Sequence, residues 1–125
     1  MTSTVVIADD DVDIRALVRI SAVRAGLNVV AEAGNGDEAL SAIRLLVPEL
    51  AILDVSMPGL SGLEVCRLVR ADAALDGVQI LLVSAAADET SIAAGMRAGA
   101  ADYLSKPFSP RDLASRLSAH VGGTR

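Results

Sequence analysis

The chain has 125 residues, room for one domain with a real core and too little for two. Hydrophobic residues make up 52% and aromatics only 2%, so the core must be built from Ala, Val, Leu and Ile, and a formal net charge of −5 argues against nucleic-acid binding through this chain's own surface. One cysteine, Cys66, excludes an internal disulfide and reads as packing; no apolar run has the length of a membrane span and the N-terminus lacks a basic start, so a soluble, cytoplasmic chain is expected, with no membrane partner.

Thr4 to Ala8 is a β-branched, apolar run that reads as a first strand, and it ends in Asp9-Asp10-Asp11. Ile14, Leu17, Val18 and Ser21 then fall at helical spacing through Ala25, and Gly26 stops that helix. Asn28 to Ala33 reads as an alternating edge strand. Asn35-Gly36 is a turn, and Asp37 is read as the N-cap of a second helix through Val47, with Ala39, Leu40, Ile43 and Leu46 inward and Pro48 ending it. Leu50 to Asp54 is a continuous apolar run closed by one aspartate and then by Pro58, Gly59 and Gly62, the pattern of a strand buried on both faces.

A third helix is expected from about Gly62 to Ala71, carrying Leu63, Cys66 and Val69, followed by a loop over Asp72 to Gly77. Val78 to Val83 reads as a fourth strand ending at Ser84, and Glu89 to Ala98 as a weak helix rich in Ala and Gly. Asp102 to Ser105 is a short fifth strand leading into Lys106-Pro107-Phe108. Ser109 then caps a last helix with Pro110 at its first position and Leu113, Leu117 and Val121 on one face. Alternating strands and helices predict an α/β fold: a doubly wound, five-stranded parallel sheet in the flavodoxin-like order 2-1-3-4-5 with five helices.

In such a sheet the carboxyl ends of the strands share one edge, which brings Asp9, Asp10, Asp54, Ser84 and Lys106 together. Lys106 is the only lysine among eleven basic residues, a compact, mobile charge where the chain otherwise uses arginine. Three carboxylates in one pocket repel unless a cation joins them. A hard divalent ion with oxygen ligands such as Mg²⁺, with Mn²⁺ as a substitute, meets that need, and the set suits phosphoryl transfer to an aspartate.

Four motifs in order, each ending a predicted strand, carry a resemblance: Val6-Ile7-Ala8-Asp9-Asp10, Leu53-Asp54-Val55-Ser56-Met57-Pro58-Gly59, Val83-Ser84-Ala85 and Tyr103-Leu104-Ser105-Lys106-Pro107-Phe108. The chain resembles the receiver domain of two-component response regulators (the CheY-like superfamily) from about Thr4 to Val121. The resemblance implies a receiver domain over residues 1–121, with 122–125 a tail or the start of a linker. It implies Asp54 as phosphoacceptor, Asp10 as a direct metal ligand with Asp54, Asp9 acting through a metal-bound water, and Ser56 offering its backbone carbonyl. Ser84 would donate to a phosphoryl oxygen, and Lys106 would pair with Asp54 and then with the phosphoryl group. A cis Lys106-Pro107 bond and Tyr103 as a switch aromatic that turns inward are also implied.

The function so implied is a switch rather than an enzyme in its own right. A sensor histidine kinase or phosphotransfer protein would phosphorylate Asp54. An output domain or downstream protein would read the face made by helix 4, strand 5 and helix 5, and the chain would be a monomer or a phosphorylation-dependent homodimer. Slow self-phosphorylation from small donors and autodephosphorylation are expected. Two other classes compete. An aspartyl-nucleophile phosphohydrolase usually wants a second acid where this chain has Ser56, and the chain leaves little room for a substrate lid. A phosphorylation-independent, receiver-like binding module would be signalled by loss of Asp10, Asp54 or Lys106, all of which are present. Core filling is the competing reading of Tyr103. Asp11 and Asp13 read as charge at a helix N-terminus, and His120 reads as structural and without partners.

Overall fold

The computed structural model describes residues 3–121. Among these, five strands and five α-helices alternate: β1 Thr4–Ala8, α1 Val12–Arg24, β2 Asn28–Ala33, α2 Gly36–Leu46, β3 Leu50–Asp54, α3 Gly62–Arg70, β4 Gln79–Ser84, α4 Glu89–Arg97, β5 Asp102–Ser105 and α5 Pro110–Val121. All strand pairs are parallel and the order is β2-β1-β3-β4-β5, as the alternation of apolar runs and helical repeats predicts. Residues 122–125, read as a tail or linker, lie outside the described residues. No helix among those described is long and apolar enough to cross a membrane.

The central strands are continuous apolar runs because both faces of the sheet are covered. Val6, Ala8, Ala51, Leu53, Ile80 and Leu82 point to one side, against Ala39 and Ile43 of α2 and Val65, Cys66 and Val69 of α3. Val5, Ile7, Leu50, Ile52, Leu81 and Val83 point to the other, against Val18 and Ala22 of α1 and Leu113 and Leu117 of α5. Cys66 is buried there as packing, and burial pushes its thiol pKa up. The side chain of Val121 lies outside the described residues.

Several local expectations are corrected. The N-cap of α2 is Asn35, whose side chain accepts from Glu38 N–H at 2.8 Å; Asp37 already lies inside the first turn. Leu46 is exposed, not inward, because the helix ends there and Val47 turns into the left-handed region at φ 44°. β2 does not alternate: four consecutive residues after Asn28 are not buried, three of them half-buried and flanked by exposed ones, since α1 and α2 each cover only part of an edge strand. The segment after α3 is not simply a loop; Asp72 caps a 3₁₀ turn, Ala73–Leu75, that buries Leu75. Asp11 does more than charge the start of α1, since its carboxylate accepts from the Asp13 and Ile14 amides. His120 has a partner: Asp102 takes both its imidazole at 3.1 Å and the Arg116 guanidinium at 2.7 Å, tying α5 to β5. Burial opposes ionisation of Asp102, but hydrogen bonds from His120, its neighbour's amide and Arg116 outweigh it and hold the carboxyl below its ordinary range.

The loop that follows β3 is fixed by close backbone contact. Gly62 N–H donates to Val55 C=O at 3.0 Å, and a Cβ at Gly62 would run into the backbone carbonyl of Asp54. Gly62→Ala is therefore expected to destabilise the fold by about 1–3 kcal/mol, seen as a lower urea midpoint with an unchanged slope. A neutral or stabilising effect would show that the β3–α3 loop is not held by this contact.

Candidate functional site

β1 and β3 are neighbours whose connections leave on opposite sides of the sheet, so a crevice opens beyond their carboxyl ends. Asp9 follows β1 directly and Asp54 is the last residue of β3. Both are buried, at 2% and 5% exposure, whereas Asp10 is exposed. Carboxylate oxygens of Asp9, Asp10 and Asp54 lie within 4.8 Å of one another. Lys106, just past β5, reaches back across the sheet edge: its Nζ stands 3.2 Å from Asp9 Oδ2 and 3.4 Å from Asp54 Oδ1. Its main chain is anchored by donation from Lys106 N–H to Ser84 C=O at 2.8 Å, and the Lys106-Pro107 bond is cis.

Backbone amides share the work of holding the acids. Asp11 N–H donates to Asp9 Oδ1 at 2.9 Å and Ser56 N–H to Asp54 Oδ1 at 3.3 Å. These donors and Lys106 do not compensate Asp54 fully. Its burial, together with the negative charge of Asp9, pushes its carboxyl up to about 6. Burial also works against the Lys106 ammonium, but the facing Asp54 and Asp9 carboxylates outweigh it and hold its pKa above the ordinary lysine value. The acids thus exceed the local positive charge, and every donor in the set is a hard oxygen, which fits a small divalent cation.

Ser84 stands at the same sheet edge. Its hydroxyl oxygen accepts from Ala86 N–H at 3.0 Å. Tyr103, in β5, is turned inward and 9% exposed, and its hydroxyl donates to Ala86 C=O at 2.6 Å. Ser84 and Tyr103 line a small cavity with Val55, Leu63, Ala86, Ser91 and Ala94. The structure therefore brings Asp9, Asp10, Asp54 and Lys106 into one constellation, adds Ser56 through its amide, and links Ser84 to Tyr103 through Ala86.

Sequence reasoning missed Arg15. Its Nη1 donates to the Asp9 carbonyl at 2.9 Å while its Nε stands 3.3 Å from Glu32, so a cation braces the turn that carries the acids. The position, one turn into a helix that follows an acidic strand end, was the available signal.

The response regulator receiver domain, as a sequence family, matches residues 5–118. This chain belongs to the response regulator receiver family. Phosphoryl-transfer switching is the standard function of that domain. The DNA-binding response regulator MtrA of Mycobacterium tuberculosis (strain ATCC 25618 / H37Rv) is 36% identical over 121 residues, which cover 97% of this chain and 51% of MtrA. The chain spans about half the length of the curated relatives it matches. Among solved structures, a response regulator from Chloroflexus aurantiacus J-10-fl aligns with a TM-score of 0.89 at 34% identity, covering 98% of this chain and 99% of that one. The BeF3-activated DrrB receiver domain aligns with a TM-score of 0.87 at 27% identity, over 98% of this chain and 99% of that one.

The raised Asp54 carboxyl has a measurable consequence in the metal-free receiver. A group whose folded pKa exceeds its unfolded value adds stability below the unfolded pKa and loses it as pH rises through the folded one. In EDTA at pH 8, Asp54→Asn is expected to be more stable than the parent by about 1–2 kcal/mol, with the gap narrowing towards pH 4.5. Lys106 keeps Asp9 as its partner in that variant, so no ammonium is orphaned. Urea titrations at the two pH values check it, and a gap that is absent or widens on acidification would contradict the assignment.

Proposed function

We propose that Asp54 accepts a phosphoryl group from the phosphohistidine of a sensor histidine kinase or phosphotransfer protein, and that the acyl phosphate switches the face formed by α4, β5 and α5. The observation that carries this reading is the buried Asp54 carboxylate at a strand end, 3.4 Å from the only lysine and grouped with Asp9 and Asp10. A carboxylate oxygen of Asp54 would attack phosphorus as the bond from phosphorus to the donor histidine nitrogen breaks, leaving an aspartyl phosphate and a free imidazole. Lys106 holds Asp54 in place before transfer and follows the new phosphoryl oxygens afterwards. Ser84 accepts from Ala86 and so has its own proton free to donate to a phosphoryl oxygen.

Asp10 and Asp54 directly, Asp9 through water, and the Ser56 carbonyl would hold Mg²⁺ or Mn²⁺. The ion would supply charge neutralisation on the transferring phosphoryl oxygens. Residues 1–121 form the switching unit in this reading, with 122–125 as a tail or linker, and the chain works in the cytoplasm as a monomer or a phosphorylation-dependent homodimer. Slow autodephosphorylation is expected, since Ser56 and Ala86 are small and exposed beside the site. MtrA is named a DNA-binding regulator; for this acidic chain, output through another domain or protein is proposed in place of direct nucleic-acid contact.

Incubation with Mg²⁺ and acetyl phosphate, followed by intact mass, tests the reading. One added phosphoryl group is expected in the parent and none in Asp54→Ala or in EDTA. Phosphate release with turnover over many donors would make the chain a phosphohydrolase, and neither adduct nor turnover would make it a phosphorylation-independent binding module.

A further inference from the structure

α4 meets the sheet without a side chain of its own at the point of closest approach. Gly95 is the one residue of this helix that is buried, and the space beside it is filled from β5 by the Tyr103 ring. A Cβ built on Gly95 would lie 2.8 Å from Cδ2 and 3.2 Å from Cε2 of that ring, and 3.1 Å from Leu82 Cδ1. The 2.8 Å separation is shorter than a real Cβ accepts, the other two are tighter than ordinary van der Waals contact, and Leu82 occupies one way out. Glycine is otherwise a poor choice here, because in a helix interior it is less favourable than every residue except proline. The hydroxyl on the same ring donates to Ala86 C=O, and Ala86 N–H donates to the Ser84 hydroxyl oxygen at the proposed phosphoryl site.

We infer that Gly95 is a positioning residue of the switch: its missing side chain is the seat for the Tyr103 ring, so that the inward ring and the docked α4 form one state. The inference rests on the phosphoryl-switch reading and adds to it the contact by which the position of Tyr103 reaches α4. Alanine at 95 would make the two halves of that state exclude each other. Either the ring leaves or the helix lifts. The prediction has a sign of its own, because a glycine that merely sat in a helix would give a more stable protein on replacement by alanine.

The chain has one tyrosine and no tryptophan, so tyrosine emission reports Tyr103 alone. In Gly95→Ala, acrylamide quenching of that emission is expected to rise several-fold over the parent, and the melting temperature to fall. In a Tyr103→Leu background the same Gly95→Ala change is expected to raise the melting temperature, as for an ordinary helix position. After treatment with acetyl phosphate and Mg²⁺ quenching in the parent should fall further as the inward ring is favoured, and Gly95→Ala should stay strongly quenched. Unchanged quenching together with a higher melting temperature in Gly95→Ala overturns the inference, and so does an equal thermal loss in both backgrounds. If Gly95→Ala does not fold, recovery of folding in Gly95→Ala/Tyr103→Leu supports the seat and failure to recover overturns it. A parent that takes no phosphoryl group overturns the switch reading itself, whereas the quenching and melting cycle on the unphosphorylated chain decides the seat independently.

Discussion

Two buried carboxylates facing one ammonium set the terms for this structure. Asp9 and Asp54 sit almost out of water at the edge of a sheet whose interior offers them nothing. Taking an ionised carboxylate out of water costs several kcal/mol unless partners replace the lost hydration. Lys106 and two backbone amides replace part of it. The remainder shows in the Asp54 carboxyl, held well above the ordinary aspartate range. Such an arrangement is tolerable as a resting state and becomes favourable once positive charge enters, which is what an acceptor awaiting a cation and a phosphoryl group requires.

That charge imbalance demands rigid backbone around the acids, and the chain provides it unevenly. On the acidic side Arg15 braces the Asp9 carbonyl. Gly36 brings the start of α2 hard against the backbone of Leu60, and Gly62 lets α3 begin against Asp54. Buried side chains from α2 and α3 fasten the same region to the sheet. Beyond β4 the character changes. Ala85 to Thr90 are all exposed, and α4 meets the sheet through a glycine. Regions that change conformation are drawn from the less stable part of a fold, and α4 buries only one residue of its own. One edge therefore combines firmly held acids with a more loosely packed loop and helix.

The sequence made much of this legible for simple reasons. Strands buried on both faces have to be apolar throughout, so β1, β3 and β4 announced themselves, and turn residues marked where each ended. Strand ends in a parallel sheet share an edge, so Asp9, Asp10, Asp54, Ser84 and Lys106 could be grouped before any distance was known. What stayed hidden depends on contacts that only the folded backbone decides. Asp102 meets Arg116 and His120 only after α5 has packed, so His120 looked solitary. Arg15 went unread because its partners are a carbonyl and an acid on another strand. Asn35 and Asp37 are both good caps two residues apart, and only the backbone conformation chooses between them. Gly95 read as a weakness in a helix. Its purpose appears only when the Tyr103 ring is placed beside it.

The orientation of the hydrogen bonds around Ala86 carries one more consequence. A serine hydroxyl has one proton to give and two lone pairs to receive. Ser84 uses a lone pair for Ala86 N–H, so giving its proton to a phosphoryl oxygen would not break that bond. Tyr103 meanwhile spends its only proton on the Ala86 carbonyl. The two side chains therefore do not compete for Ala86, since one takes its N–H and the other its C=O. On the proposed mechanism, a Ser84 engaged with phosphate and an inward Tyr103 belong to the same arrangement of the β4–α4 loop. Phosphorylation would then act by favouring a packing the chain can already form, a shift of population between two arrangements and not the construction of a new one.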